Sequence, residues 1–128
     1  MPKKHLKLDV RLPAYQAPRN KWRRAIHAEV LRELKDANLR YSREDRLEIQ
    51  IGLYLGKNSL QIHDVDNRLK DIMDALQGRA GGPKSKHRFR RIIQNDAQVY
   101  RVVIEKSNPP RQARGRGHLT IRKYAHSR

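Results

Sequence analysis

Leu6, Leu8, Val10 and Leu12 alternate with Lys7, Asp9 and Arg11 ahead of Pro13, a period of two that predicts a strand with one buried face. From Pro18 or Arg19 to about Asn38, the residues Trp22, Ala25, Ile26, Val30, Leu34 and Ala37 recur at intervals of three and four, with charges between them. That spacing predicts a surface helix, and Asn38 suits its C-terminal end. Leu47, Ile49, Ile51, Leu53 and Leu55 fall on one face of a second strand, after which Gly56-Lys57-Asn58 turns the chain. Leu69, Ile72, Met73 and Leu76 then form one helical stripe, predicting a helix from about Asn67 to Gln77 that Gly78 ends. Val99, Tyr100, Val102, Val103 and Ile104, within Gln98 to Glu105, are apolar on both faces and predict a central strand. A short last strand is expected over His118 to Tyr124, where Leu119 and Ile121 alternate with Thr120 and Arg122.

The order is therefore β-α-β-α-β-β, which places the chain in the α/β (α+β) class: a mixed β-sheet with two main helices packed mainly on one face. Strands separated by helices are expected to run parallel, and the last two to pair with each other through a Pro/Gly-rich loop. A chain of 128 residues suits one domain, 1–128, with no internal repeat. The segments 79–91 and 107–117 carry no apolar period and are read as basic loops that are mobile.

Charge narrows the function. Thirty Lys plus Arg against thirteen Asp plus Glu give a net charge of +17. Such a surface attracts phosphates and releases their counterions, so nucleic acid is the expected partner ahead of an anionic membrane surface. No apolar run approaches the roughly 20 residues that cross a bilayer, and the first ten residues lack the apolar stretch of a signal peptide. No membrane role is expected, and the soluble cytoplasm or nucleoid is the expected location. The chain has no cysteine, which excludes disulfides, thiolate zinc sites and cysteine nucleophiles. No two of the six His stand at the i, i+4 spacing of a helical metal pair.

Against that background the acids stand out. Asp64 and Asp66 share one side of an extended segment just ahead of the second helix, where Asp66 is placed to act as N-cap. Asp96 lies in the short Ile92-Ile93-Gln94-Asn95-Asp96-Ala97-Gln98 connection, where an Asn-Asp pair commonly serves a turn. Each acid has a purely structural use. Together they also offer the hard oxygen donors that Mg²⁺ accepts, and in so basic a chain such a cluster points to phosphodiester cleavage. Lys70, one turn into the helix, is either a solvated lysine or a cation for phosphate oxygens.

The run Asp64-Val65-Asp66-Asn67-Arg68-Leu69-Lys70, with Asp74-Ala75-Leu76 and then Asn95-Asp96-Ala97-Gln98-Val99, resembles the RusA family of Holliday junction resolvases. That family's pattern is D-x-D-N-x-x-K, then D-A-L, then D-D-A-Q-V, and the match spans roughly residues 47 to 105. Asn95 stands where the family shows its first acid of the second motif. The resemblance implies a RusA-like fold and a crossover junction endodeoxyribonuclease active in DNA recombination and repair. It implies that Asp64, Asp66 and Asp96 are catalytic carboxylates that bind Mg²⁺, for which Mn²⁺ substitutes, and that Lys70 is the essential lysine. A four-way junction has approximate two-fold symmetry and needs two matched nicks, so a homodimer is expected.

For DNA contact the sequence nominates Arg79, Lys84, Lys86, Arg88, Arg90 and Arg91 around Phe89, which either stacks on bases or anchors in the core. Arg19, Lys21, Arg23 and Arg24 form another basic group around Trp22, itself read as core. Two rival readings remain open at this stage. One is a non-catalytic basic RNA- or ribosome-binding protein, and the other a nuclease for flaps, forks or other branched DNA.

Overall fold

The computed structural model describes residues 6–55, 63–79, 89–108 and 117–125. Along the chain run β1 (Leu8–Leu12), α1 (Arg19–Asp36), β2 (Leu47–Tyr54), α2 (Val65–Leu76), a 3-10 turn (Asp96–Gln98), β3 (Val99–Ser107) and β4 (Gly117–Lys123). The strands form one mixed four-stranded sheet in the order β1-β4-β2-β3. β4 is antiparallel to both its neighbours, while β2 and β3 are parallel. The class and element order match the pattern read from the sequence.

The core lies between the sheet and the two helices. Leu8, Val10 and Leu12 of β1, the odd-numbered aliphatics Leu47 to Leu53 of β2, and Leu119 and Ile121 of β4 are buried together with Trp22, Ile26, Val30, Ile72 and Leu76. Fully burying each such side chain contributes about 1.5–3 kcal/mol. The two large polar rings in the core meet partners: Trp22 Nε1 donates to the Pro13 carbonyl at 3.0 Å, and the Tyr41 hydroxyl to the Leu6 carbonyl at 2.7 Å. Burial, with Asp45 and Asp9 nearby, pushes the Tyr41 hydroxyl pKa well up, so it stays a donor.

Both helices end as their sequences foretell. At α1 the Asn38 and Leu39 amides bond back to Lys35 and Leu34, with Asn38 at φ 50°. At α2 the Gly78 and Arg79 amides bond to Ala75 and Asp74, with Gly78 at φ 79°. These are Schellman closures, in which a left-handed residue lets the last carbonyls be satisfied. A Cβ at Gly78 would also collide with the Phe89 carbonyl oxygen, so the position needs glycine twice over.

Three expectations are corrected. β3 is an edge strand, not a central one, and leaves Tyr100, Val102 and Val103 exposed at 54%, 37% and 38%. The last two strands do not pair; β4 inserts between β1 and β2. Polar cross-strand contacts hold it there, since Arg122 reaches Glu48 of β2 at 2.6 Å and the Thr120 hydroxyl donates to Asp9 of β1 at 2.8 Å. Finally, α2 begins at Val65, so its N-cap is Asp64 and not Asp66: the Asp64 carboxylate accepts the Asp66 amide at 3.0 Å. Either aspartate can cap, and capping from Asp64 lets Val65 and Asp66 join the first turn.

Candidate active site

Asp64, Asp66 and Lys70 all belong to the N-terminal half of α2 or its cap, and all three are exposed. Asp64 keeps one carboxylate oxygen on the cap, leaving the other uncommitted, and no ion pair engages Asp66 or Lys70 among the described residues. At four residues' separation Asp66 and Lys70 share one face of the helix. The helix dipole also favours the two carboxylates at this end.

What anchors this end of α2 is a network that the sequence reading did not foresee. Asp71 is fully buried and pairs with three arginines: Arg19 Nε at 2.9 Å, Arg23 at 2.9 Å, and Arg68 at 3.2 Å. Arg23 also reaches Asp74 at 3.1 Å. Arg68, itself buried, lies over the Tyr15 ring at 4.2 Å and donates to His63 Nδ1 at 3.3 Å. Because an arginine only donates, His63 Nδ1 must accept, which requires a histidine not charged on that nitrogen. Burial, then the charges of Arg68 and Lys106, hold the His63 pKa below its ordinary value, in keeping with that role. Its ring packs edge-on against Tyr15 at 4.5 Å, and His63 is half-buried.

Lys106, near the end of β3, donates from Nζ to the His63 carbonyl at 2.8 Å and so brings a cation beside the D-x-D segment. Its signal was available in the period of β3. Val102, Ile104 and Lys106 register with Ile49, Ile51 and Leu53 on the helix-covered side of the sheet, and a lysine at such a register invites a question.

Asp96 is elsewhere. It opens the 3-10 turn immediately before β3, is exposed, and has no cationic partner within salt-bridge distance among the described residues. The D-x-D segment meets the other end of that nine-residue strand, and at roughly 3.3 Å per residue the two ends of β3 lie about 25 Å apart. The expected convergence of Asp64, Asp66 and Asp96 within one chain therefore does not occur. Among the described residues no three His, Asp or Glu side chains gather closely enough to hold a metal ion. The parallel β2-α2-β3 crossover is the cause, because it puts the end of β2 and the start of β3 on opposite rims of the sheet.

The residues around Asp96 are built firmly. Buried Gln98 accepts the Gln94 and Asn95 amides at 2.7 and 3.1 Å and donates to the Ser42 and Asp45 carbonyls at 2.9 and 2.8 Å. Asn95 in turn accepts the Ala97 amide at 2.8 Å. The Asn-Asp-Ala-Gln run is thus a clamp that ties two loops to the start of β3.

Of the nominated DNA contacts, Lys84, Lys86 and Arg88 lie outside the described residues, as does most of each basic loop. Arg79, Arg90 and Arg91 are exposed. Phe89 is half-buried, its ring 5.1 Å from that of His27, which donates from Nε2 to the Arg90 carbonyl at 2.6 Å. That contact favours the anchoring use of Phe89 over base stacking. Arg90 and Arg91 line a cleft of about 770 Å³ against the end of α1, together with Lys35 and Arg40, which the sequence reading passed over. No acid lines it. By contrast Arg19 and Arg23, counted with the basic surface from sequence, are consumed by Asp71.

None of the helices among the described residues is long and apolar enough to cross a membrane. No family model matches the chain, and no curated protein matches it.

Proposed function

We propose that the chain is a metal-dependent, structure-specific DNA endonuclease of the RusA type, which nicks four-way junctions as a two-fold dimer in DNA recombination and repair. The observation that carries this reading is the state of the acids at α2. In a chain of +17, Asp64 and Asp66 stand exposed and without a cationic partner among the described residues at one helix end, with Lys70 on the same side. Unneutralised acids beside so much positive charge are suited to a cation.

The donor set fits Mg²⁺ in part. Mg²⁺ is commonly held by one or two carboxylates, the rest of its shell being waters and substrate phosphates, and Asp64 with Asp66 supply that number. When bound, the metal lowers the pKa of a water and offsets charge on the phosphate. Asp64 and Asp66 hold and orient the ion. Lys70 holds non-bridging phosphate oxygens, and Arg90 and Arg91 grip the backbone of a DNA arm. Asp96, a long way off in its own protomer, enters a common site only from a two-fold mate. The cytoplasm, in association with the nucleoid, is the proposed setting.

The test is incubation with a synthetic four-way junction, with and without Mg²⁺. The expected result is metal-dependent, symmetry-related nicks, faster than on flaps or forks. Binding without cutting in any divalent metal would favour the rival RNA- or ribosome-binding reading, which the dispersed carboxylates of the single chain support. Replacing Arg90 and Arg91 by Gln is expected to flatten the salt dependence of junction binding, by about 0.9 in log-log slope per lost phosphate contact.

A further inference from the structure

β3 carries the sequence of a central strand and occupies an edge. It is the longest strand of the sheet, nine residues from Val99 to Ser107, and has no proline. Its outer side is unpaired among the described residues, and it exposes Tyr100, Val102 and Val103, the large hydrophobic residues that stand out on the described surface. Natural sheets protect such edges with short strands, proline or inward charges. The opposite edge is shorter and ends at proline: β1 has five residues and runs into Pro13.

From these facts we infer that β3 is the dimerisation edge, and that it pairs antiparallel with β3 of a second copy of this chain, centred on Val103. The occupant follows from complementarity. A two-fold axis normal to the sheet keeps the helices of both copies on one side, so facing residues must share parity, since a one-residue slip would invert the faces. With Val103 on the axis, Arg101 faces the partner's Glu105, and the partner's Arg101 faces Glu105. Val102 faces the partner's Ile104. The neighbouring even registers bring Arg101 opposite the partner's Val103 or the partner's Ser107 and leave both charges unmatched. Glu105 is exposed, and no cation pairs with it among the described residues. Arg101 is 55% exposed and holds Glu48 only at 3.4 Å, while Arg122 already serves that acid. The eight-stranded sheet that results gives β3 the two neighbours its apolar faces call for. It also lays the beginning of β3, near Asp96, beside the end of the partner's β3.

This inference deepens the proposed dimeric nuclease by naming its interface, but the test needs neither DNA nor metal. The full chain is examined by sedimentation equilibrium at about 0.3 M salt, which screens the repulsion between two +17 copies. A dimer is expected. Glu105→Arg should weaken it by about tenfold, because two arginine pairs then face each other across the axis. Arg101→Glu combined with Glu105→Arg should restore it. The two positions are about 13 Å apart along one strand, so this rescue arises only between copies. Val103→Lys, at an exposed position, should give a folded monomer whose β3 amides exchange faster than those of the parent. A parent that stays monomeric at every concentration, or a dimer indifferent to Glu105→Arg, overturns the inference. Junction cutting by the parent is scored separately, so a dimer that cuts nothing would discard the proposed nuclease and keep this interface.

Discussion

Two groups of acids behave in opposite ways in this protein. Asp71 and Glu48 are buried, at 0% and 3% exposure, and each is surrounded by arginines drawn from different elements. Asp64, Asp66 and Asp96 are exposed, and no cation pairs with them among the described residues. A buried carboxylate must be compensated or it costs several kcal/mol, so the first group is bound into the fold. The second group is under no such constraint. In a strongly basic chain the fold therefore separates acids that hold it together from acids left facing solvent, and the latter include those of the D-x-D-N and N-D-A-Q motifs beside Asp36, Glu44 and Glu105.

The sharpest way to break this contrast is at Asp71. Removing its charge leaves Arg19, Arg23 and Arg68 crowded together with part of their charge buried. Asp71→Ala is expected to cost about 3–5 kcal/mol in denaturant unfolding. A loss under about 1 kcal/mol would mean that the arginines find water instead.

Glu48 should come next. Its hydrogen bond from Arg122 holds its pKa below the ordinary carboxylate value, despite burial pushing the other way, and the Arg122 and Arg101 charges add to the lowering. A carboxylate with a depressed folded pKa stabilises fully above its unfolded pKa, and that contribution fades as pH falls through the folded value. Glu48→Gln is therefore expected to cost about 1–3 kcal/mol at pH 7 and progressively less below about pH 4.5. Urea titrations of both proteins between neutral and acid pH read this directly. Parallel curves across the whole range would show that Glu48 is not held ionised by its arginines.

Asp64 sits between the two groups, since it caps α2 while remaining exposed. Asp64→Ala should cost about 1 kcal/mol, and Asp64→Asn much less, because asparagine caps nearly as well. Equal losses for the two substitutions would separate the stability effect from the cap. Smallest of all should be Asp66→Asn and Asp96→Asn, each within about 0.5 kcal/mol of the parent by thermal melting. A larger loss in either would place that acid with the structural group.

Much of the fold was legible. Strand periods located β1, β2 and β4, the three-and-four spacing located both helices, and Asn38 and Gly78 marked their ends because few other residues tolerate the left-handed turn. The position of β3 was not legible. Apolar residues on both faces record that a strand needs two neighbours, but they do not say whether those neighbours come from the same chain. The ion network was hidden for a related reason. Asp71 and Arg68 look like ordinary surface charges in sequence, and only the packing of α1 on α2 turns them inward. The motif acids were legible as a set, whereas their dispersal across the sheet follows from the crossover geometry and not from their spacing.

The claim on which the account rests is that the exposed motif acids serve chemistry, Asp66 without any part in folding, and one comparison tests it most directly. Parent and Asp66→Asn are assayed side by side for binding and Mg²⁺-dependent cutting of a four-way junction. The account predicts that Asp66→Asn binds the junction at least as tightly as the parent, melts at the same temperature and makes no nicks. Cutting at the parent's rate by Asp66→Asn would contradict it.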